Sequence, residues 1–405
     1  MHSDISPEQS RKIQAIHTNG NQEPNDISIL ETASTETAVC HSDVRRSSLR
    51  LGSDLQKTAI AWRLFIINLI FLTCIIPQMQ FISRVNFGVA SDEGGRSGQD
   101  DRALVFSARW KDGSRILVAA VLDGHHGHHV AELVMLQLPN AFLKAMSNSN
   151  ETNLEVTIST ALMSTVQALD DAAYDAYSKG GLGTGGTTLL MHVITDTTIF
   201  TANVGDCKGV LSSRGAPEAL SEAHNPPVAS ERERFAGAGV PCFSDHIGGS
   251  DINVCRTIGD YDLGPPLKWR DVQGVKRGPL ICEPEIFVRH IDSLDEFIVM
   301  ASDGLWDYYT PESSVMTETR QKLRAFRNNP QEAAEWLVGE ALSRQRTVLH
   351  EGTPGDNVTV VVIQLRPLPQ IPRASASRLN LLLRRDQSDF SDSCSEPQTS
   401  PSPLT

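Results

Sequence analysis

No two cysteines in this 405-residue chain stand in a Cys-x-x-Cys pair. The seven of them (Cys40, Cys74, Cys207, Cys242, Cys255, Cys282 and Cys394) are scattered and odd in number. That spacing suggests neither a disulfide framework nor a zinc ribbon, and a reducing compartment is the default. Basic charge is scarce too. With 36 Lys and Arg against 49 Asp and Glu, the formal net charge is −13 and no basic stripe forms. A nucleic-acid partner is therefore not expected.

A full-length transmembrane run is also missing. The uncharged core from Leu64 to Ile76 is shorter than the ~20 residues a span needs, although Arg63 can snorkel and Pro77 to Ile82 can extend it. Residues 59–82 read as a membrane anchor, either spanning or lying flat as an interfacial helix. The other reading is a helix packed on the domain. Arg45, Arg46, Arg50, Lys57 and Arg63 precede the run, and Asp92 and Glu93 follow it. In a spanning arrangement these charges keep the N-terminal tail cytoplasmic. Membrane association is the expected location, with cytoplasm or nucleus as the alternative.

Carboxylates at strand ends are plentiful. The apolar run Ile116 to Leu122 stops at Asp123-Gly124-His125, and Phe297 to Ala301 runs into Ser302-Asp303-Gly304. Gly355-Asp356-Asn357 stands just before the strand-like run Val358 to Ile363. If neighbours are antiparallel, these acids share one sheet edge. Clustered carboxylates repel one another unless a cation sits among them. All-oxygen ligation favours Mg²⁺ or Mn²⁺ over zinc.

Around these acids, residues 1–58 are polar and without periodicity, and read as a disordered tail. The domain is expected over 83–366, followed by a disordered Pro-, Ser- and Arg-rich tail at 367–405. Ala103 to Ala108 and Ile116 to Leu122 form a predicted hairpin, as do Thr187 to Ile194 and Thr198 to Val204. Helical spacing marks His129 to Met146, Leu154 to Ser178, Pro226 to Ala238 and Pro330 to Arg344. Gly181 to Gly186 matches G-x-G-x-x-G, but a helix precedes it and a hairpin follows, which is the wrong setting for a dinucleotide fingerprint. The run His125-His126-Gly127-His128-His129 reads as exposed histidines at a helix start, with a zinc site as the lesser alternative.

With these residues in place, the chain resembles the metal-dependent Ser/Thr protein phosphatases of type 2C. The likeness rests on ordered motifs: Arg96 with Gln99-Asp100-Asp101, Asp123-Gly124-His125, Gly185-Gly186-Thr187-Thr188, Asn203-Val204-Gly205-Asp206, Arg256-Thr257-Ile258-Gly259-Asp260, Ser302-Asp303-Gly304-Leu305-Trp306-Asp307 and Gly355-Asp356-Asn357. It implies an α+β fold, a four-layer αββα sandwich of two mainly antiparallel sheets flanked by helices. It also implies two Mg²⁺ or Mn²⁺ ions and a weaker third. Asp123 would bridge the pair and Asp303 and Asp356 would ligate one ion. The Gly124 carbonyl and, through water, Asp100 would serve the other, with Asp101 in the outer shell. Asp206 and Asp307 correspond to the third-metal ligands. Arg96 would hold the substrate phosphate, and His125 would protonate the leaving serine or threonine alkoxide after attack by a metal-bridging water.

Phosphoproteins are the implied partners and a monomer the implied state. Asp100 departs from the family's usual glutamate, being one methylene shorter, so the second ion would be held more loosely. Two rival readings stay open: a pseudophosphatase serving as a binding platform, and a metal-dependent hydrolase of small phosphoesters.

Overall fold

The structure is a computed structural model, and it describes residues 85–369 apart from 182, 245, 351 and 352. The 1–58 tail, the 59–82 run and nearly all of the C-terminal tail lie outside the described residues.

Two five-stranded antiparallel sheets face each other. One has the order β1 (Asn86–Asp92), β15 (Val358–Gln364), β14 (Asp295–Ala301), β8 (Lys208–Ser213), β9 (Ala216–Ala219). The other runs β13 (Glu285–His290), β7 (Thr198–Val204), β6 (Leu189–Ile194), β3 (Arg115–Leu122), β2 (Arg102–Arg109). The central strands are largely apolar because both of their faces are covered.

The two-residue period of a strand sorts those faces. In β3, Leu117, Ala119 and Val121 meet Ile298, Met300, Val361 and Ile363 of the opposite sheet. The alternate residues Ile116, Val118, Ala120 and Leu122 turn outward onto α1 (His129–Ser147) and α2 (Leu154–Ser178). In the same way Phe297, Val299 and Ala301 of β14 pack outward on α5 (Glu312–Ala325) and α6 (Pro330–Val348). The result is four layers, as the resemblance implied.

Local chemistry sets the helix ends. The Asn153 carboxamide accepts from the N–H groups of Glu155 and Val156, at 2.9 and 3.4 Å, and so caps α2. Asn329 caps α6 in the same manner, with Pro330 in the first turn. The expected helix from Pro226 shrinks to α3 (Ala229–Gly237). Helix α5 escaped the sequence reading because its buried stripe is only Val315, Met316, Thr319 and Leu323 among charged neighbours.

Residues 238–284 form a flap that carries the two-residue strands β11 (Trp269–Arg270) and β12 (Lys276–Arg277), and its small core of Val240, Ile247, Cys255, Leu267 and Leu280 packs on Phe235 of α3. The packed chain also runs past the expected boundary at 366. Leu368 is buried, and its backbone exchanges hydrogen bonds with the Asn328 side chain.

Candidate active site

The acids gather at one end of the sandwich because strands of both sheets end there. Asp303 follows β14 and begins the short helix α4 (Asp303–Trp306), while Asp356 precedes β15, the antiparallel neighbour of β14. Asp123 follows β3 and so arrives from the opposite sheet. Two-residue strands complete this end: β4 (Gly124–His125), β5 (Gly186–Thr187) and β10 (Ile258–Gly259) form a small sheet across it. At position 124 a side chain is impossible, since its Cβ would collide with the Asp100 backbone carbonyl. That close approach brings the Asp100-Asp101 segment against the Asp123 turn.

Hydrogen bonds fix each acid. The Asp123 N–H donates to Thr188 Oγ1 at 3.0 Å. Its carbonyl accepts from the Thr188 N–H at 2.9 Å and the Thr187 hydroxyl at 3.1 Å. Ser302 Oγ donates to Asp101 at 2.8 Å and accepts from the Thr359 N–H at 3.1 Å. Gln345, on α6, donates to the Gly304 carbonyl and accepts from the Asp356 N–H, both at 3.0 Å. Asn357 accepts from the Asp100 N–H at 2.8 Å and donates to the carbonyls of Glu93 and Gly98 at 2.9 and 3.0 Å. It thereby clips the 93–100 loop to the start of β15.

Electrostatically the cluster is strained. Burial, followed by the charges of Asp303, Asp101, Asp206 and Asp356, lifts the Asp123 carboxyl well above its ordinary range. Asp303 is lifted likewise, by burial and then by Asp206, Asp356 and Asp307. Burial chiefly raises Asp101 and Asp206, each to about 6, and also raises Asp307. Among the described residues no basic side chain forms an ion pair with Asp123 or Asp303. The donors are oxygens throughout, which suits a hard divalent cation. The acids crowd together without converging, since no three His, Cys, Asp or Glu groups among the described residues form a complete ligand set.

Arg96 sits at the rim, 55 % exposed, with its guanidinium 2.9 Å from the Asp356 carboxylate and its Nε 3.3 Å from the Gly355 carbonyl. His125 is held by a neighbouring carboxylate. Its Nε2 lies 2.8 and 3.0 Å from the two carboxylate oxygens of Asp260. Burial alone would lower the imidazole's pKa, but the Asp260 charge and hydrogen bond outweigh it and raise it. The neighbouring histidines diverge: His126 reaches Asp251 at 3.1 Å and His128 reaches Glu132 at 3.5 Å. They do not assemble a zinc site among the described residues. The Cys207 thiol is buried against Thr188 and pushed up by burial, as an inert core group.

The structure brings the acids expected from the sequence to one end of the sandwich, with Arg96 at the rim and His125 on Asp260. The sequence did not reveal the groups that hold them. Thr187, Thr188, Ser302, Asn357 and Asp260 stood inside or beside the motifs, where only their neighbours had been given roles. Gln345 had no signal, being one polar residue near the end of a helix.

The protein phosphatase 2C family model matches residues 97–348. A probable protein phosphatase 2C of Arabidopsis thaliana is 31% identical over 311 residues, 75% of this chain and 74% of its own length. One from Oryza sativa is 32% identical over 267 residues, covering 64% of this chain and 65% of that protein. The crystal structure of a serine-threonine phosphatase 2C from Toxoplasma gondii matches with a TM-score of 0.54 at 18% identity, over 69% of this chain and 95% of that one. A C. elegans sex-determining protein matches with a TM-score of 0.56 at 21% identity, over 79% and 77%. At these identities the two structures speak for the fold.

Proposed function

The chain belongs to the protein phosphatase 2C family and is a serine/threonine protein phosphatase; from that premise we propose how its own residues carry out the hydrolysis. Asp123, Asp303 and Asp356, with the Gly124 carbonyl and Asp100, hold two Mg²⁺ or Mn²⁺ ions, and Asp101 supports them from behind. Asp206 and Asp307 hold a weaker third. The supporting observation is the buried cluster of strand-end aspartates, raised by burial and mutual repulsion and, among the described residues, without a basic ion-pair partner at Asp123 or Asp303. When bound, such cations supply Lewis-acid activation of water near neutral pH and neutralise charge on phosphoryl oxygens.

The chain's other residues bind and donate. Arg96 offers a planar fork at the rim, where a phosphate monoester competes with the Asp356 carboxylate for it. His125, anchored on Asp260 with its pKa raised by that contact, is the candidate proton donor to a departing alkoxide. The buried cysteines take no part, since attack by water needs no phosphoenzyme.

The test is hydrolysis of a phosphoserine peptide with Mn²⁺ and with EDTA, alongside a sugar phosphate. Mn²⁺-dependent turnover confined to the peptide is expected. Turnover that persists in EDTA would overturn the metal assignment, and preference for the sugar phosphate would overturn the substrate class.

A further inference from the structure

Asp260 closes the Arg256-Thr257-Ile258-Gly259-Asp260 motif, and the hydrolysis described above assigns it no part. Its side chain is fully buried. Its backbone is left-handed, φ 57° and ψ 28°, in a region where a non-glycine residue needs support from its surroundings. The support is visible. The Asp260 N–H donates to the Gly185 carbonyl at 2.9 Å, and the preceding Gly259 N–H donates to Asp170 Oδ1 at 3.1 Å. The carboxylate lies directly over Gly186, where any Cβ would overlap it. A strained backbone, a glycine seat and a neighbouring strand therefore fix where this carboxylate sits.

What it faces is the His125 imidazole, with both oxygens within 3.0 Å of Nε2. The ring's Nδ1 has no hydrogen-bond partner among the described residues, and the side chain is 23% exposed toward solvent. A carboxylate accepts only, so Nε2 must be the protonated nitrogen in this contact. We propose that Asp260 is the positioning residue of His125: it anchors Nε2–H and so fixes the ring plane and leaves Nδ1 to deliver the proton to the leaving alkoxide. In that transfer the Nδ1–H bond breaks as the serine or threonine oxygen gains the proton, and the imidazole remains neutral with its Nε2–H still on Asp260. Electrostatics agree with the role. Burial alone would raise the Asp260 carboxyl, but His125 holds it below its ordinary range, so it stays ionised.

The proposal rests on His125 being the proton donor, and the experiment separates the two ideas. Initial rates are measured for His125→Ala, Asp260→Asn and the double variant, on a phosphoserine peptide and on p-nitrophenyl phosphate. The nitrophenolate leaves without a proton, so loss of proton delivery is felt mainly on the peptide. We expect Asp260→Asn to lower peptide turnover by about tenfold or more, with a loss at least about fivefold smaller on the nitrophenyl ester. In the His125→Ala background, adding Asp260→Asn should change peptide turnover by less than about twofold.

Equal losses on both substrates, or losses that multiply in the double variant, would mean that Asp260 only supports the fold, and the proposal fails. If His125→Ala itself loses equally on both substrates, the proton-donor role falls and takes this proposal with it. A reading independent of any variant comes from ¹⁵N spectra of the wild-type histidines. A proton on Nε2 of His125 is expected, and an unprotonated Nε2 overturns the assignment.

Discussion

Asp303 shows most sharply what one side chain does here. It sits buried among acids that lift its pKa, so its charge weakens the metal-free fold while serving the site. Asp303→Asn should abolish Mn²⁺-dependent turnover and also remove most of the rise in melting temperature that Mn²⁺ gives. In EDTA the variant should melt at or above the wild type. A metal-induced shift equal to that of the wild type would remove Asp303 from the ligand set. His192 makes a different point, away from the site. It is fully buried between the sheets, Nδ1 bonded to Thr201 and Nε2 without a partner among the described residues, and burial drops its pKa to about 3. The unfolded chain binds that proton near pH 6.5, so the stabilising effect of a neutral His192 is complete above about 6.5 and is lost as pH falls toward 3. At pH 5 that loss is about 2 kcal/mol. Replacing His192→Leu should flatten the urea-derived stability profile between pH 6.5 and 4, whatever it does to stability at pH 7. An unchanged slope would show that His192 does not carry this proton. Nothing in the sequence marked His192 as special, because a histidine inside an apolar strand gives no sign of whether its second nitrogen has a partner.

Elements whose chemistry repeats along the chain were legible, and those held by distant partners were not. Strands β3, β14 and β15 were readable because both faces are apolar and each borders an Asp-Gly or Gly-Asp step. The flap was opaque because, beside its small apolar core, much of its polar order converges on one buried carboxylate on another element. Asp170, on α2, accepts from the Gly259 N–H, the Tyr261 hydroxyl at 2.7 Å and Lys268 Nζ at 3.0 Å. Lys276 Nζ lies 2.6 Å away. Despite its burial those partners hold it ionised. Asp170→Ala would leave Lys268, only 4% exposed, without its counter-charge. A loss of about 3–5 kcal/mol in urea unfolding is expected, together with faster limited proteolysis within residues 261–282. If the flap resists protease as before, Asp170 does not organise it. Because Gly259 is the residue before Asp260, loosening this network also loosens the His125 contact.

At the scale of the molecule, the folded unit accounts for residues 85–369 as described, and none of its helices is long and apolar enough to cross a membrane. The apolar run at 59–82 lies outside those residues and beyond the 97–348 family match, so the phosphatase core does not call for it. We propose from its sequence that it anchors the chain to a membrane. Full-length protein should sediment with membranes, and a carbonate wash should release it if the run lies in the interface but not if it spans. Recovery wholly in the soluble fraction would sink the anchor. The Asn357 clip carries a different kind of consequence. One carboxamide joins the loop bearing Arg96 and Asp100 to the strand start bearing Asp356. The two segments are therefore expected to open together rather than one at a time. Damage at this clip is expected to reach both sides of it, so that a molecule losing its grip on substrate phosphate at Arg96 also loosens Asp100 and Asp356.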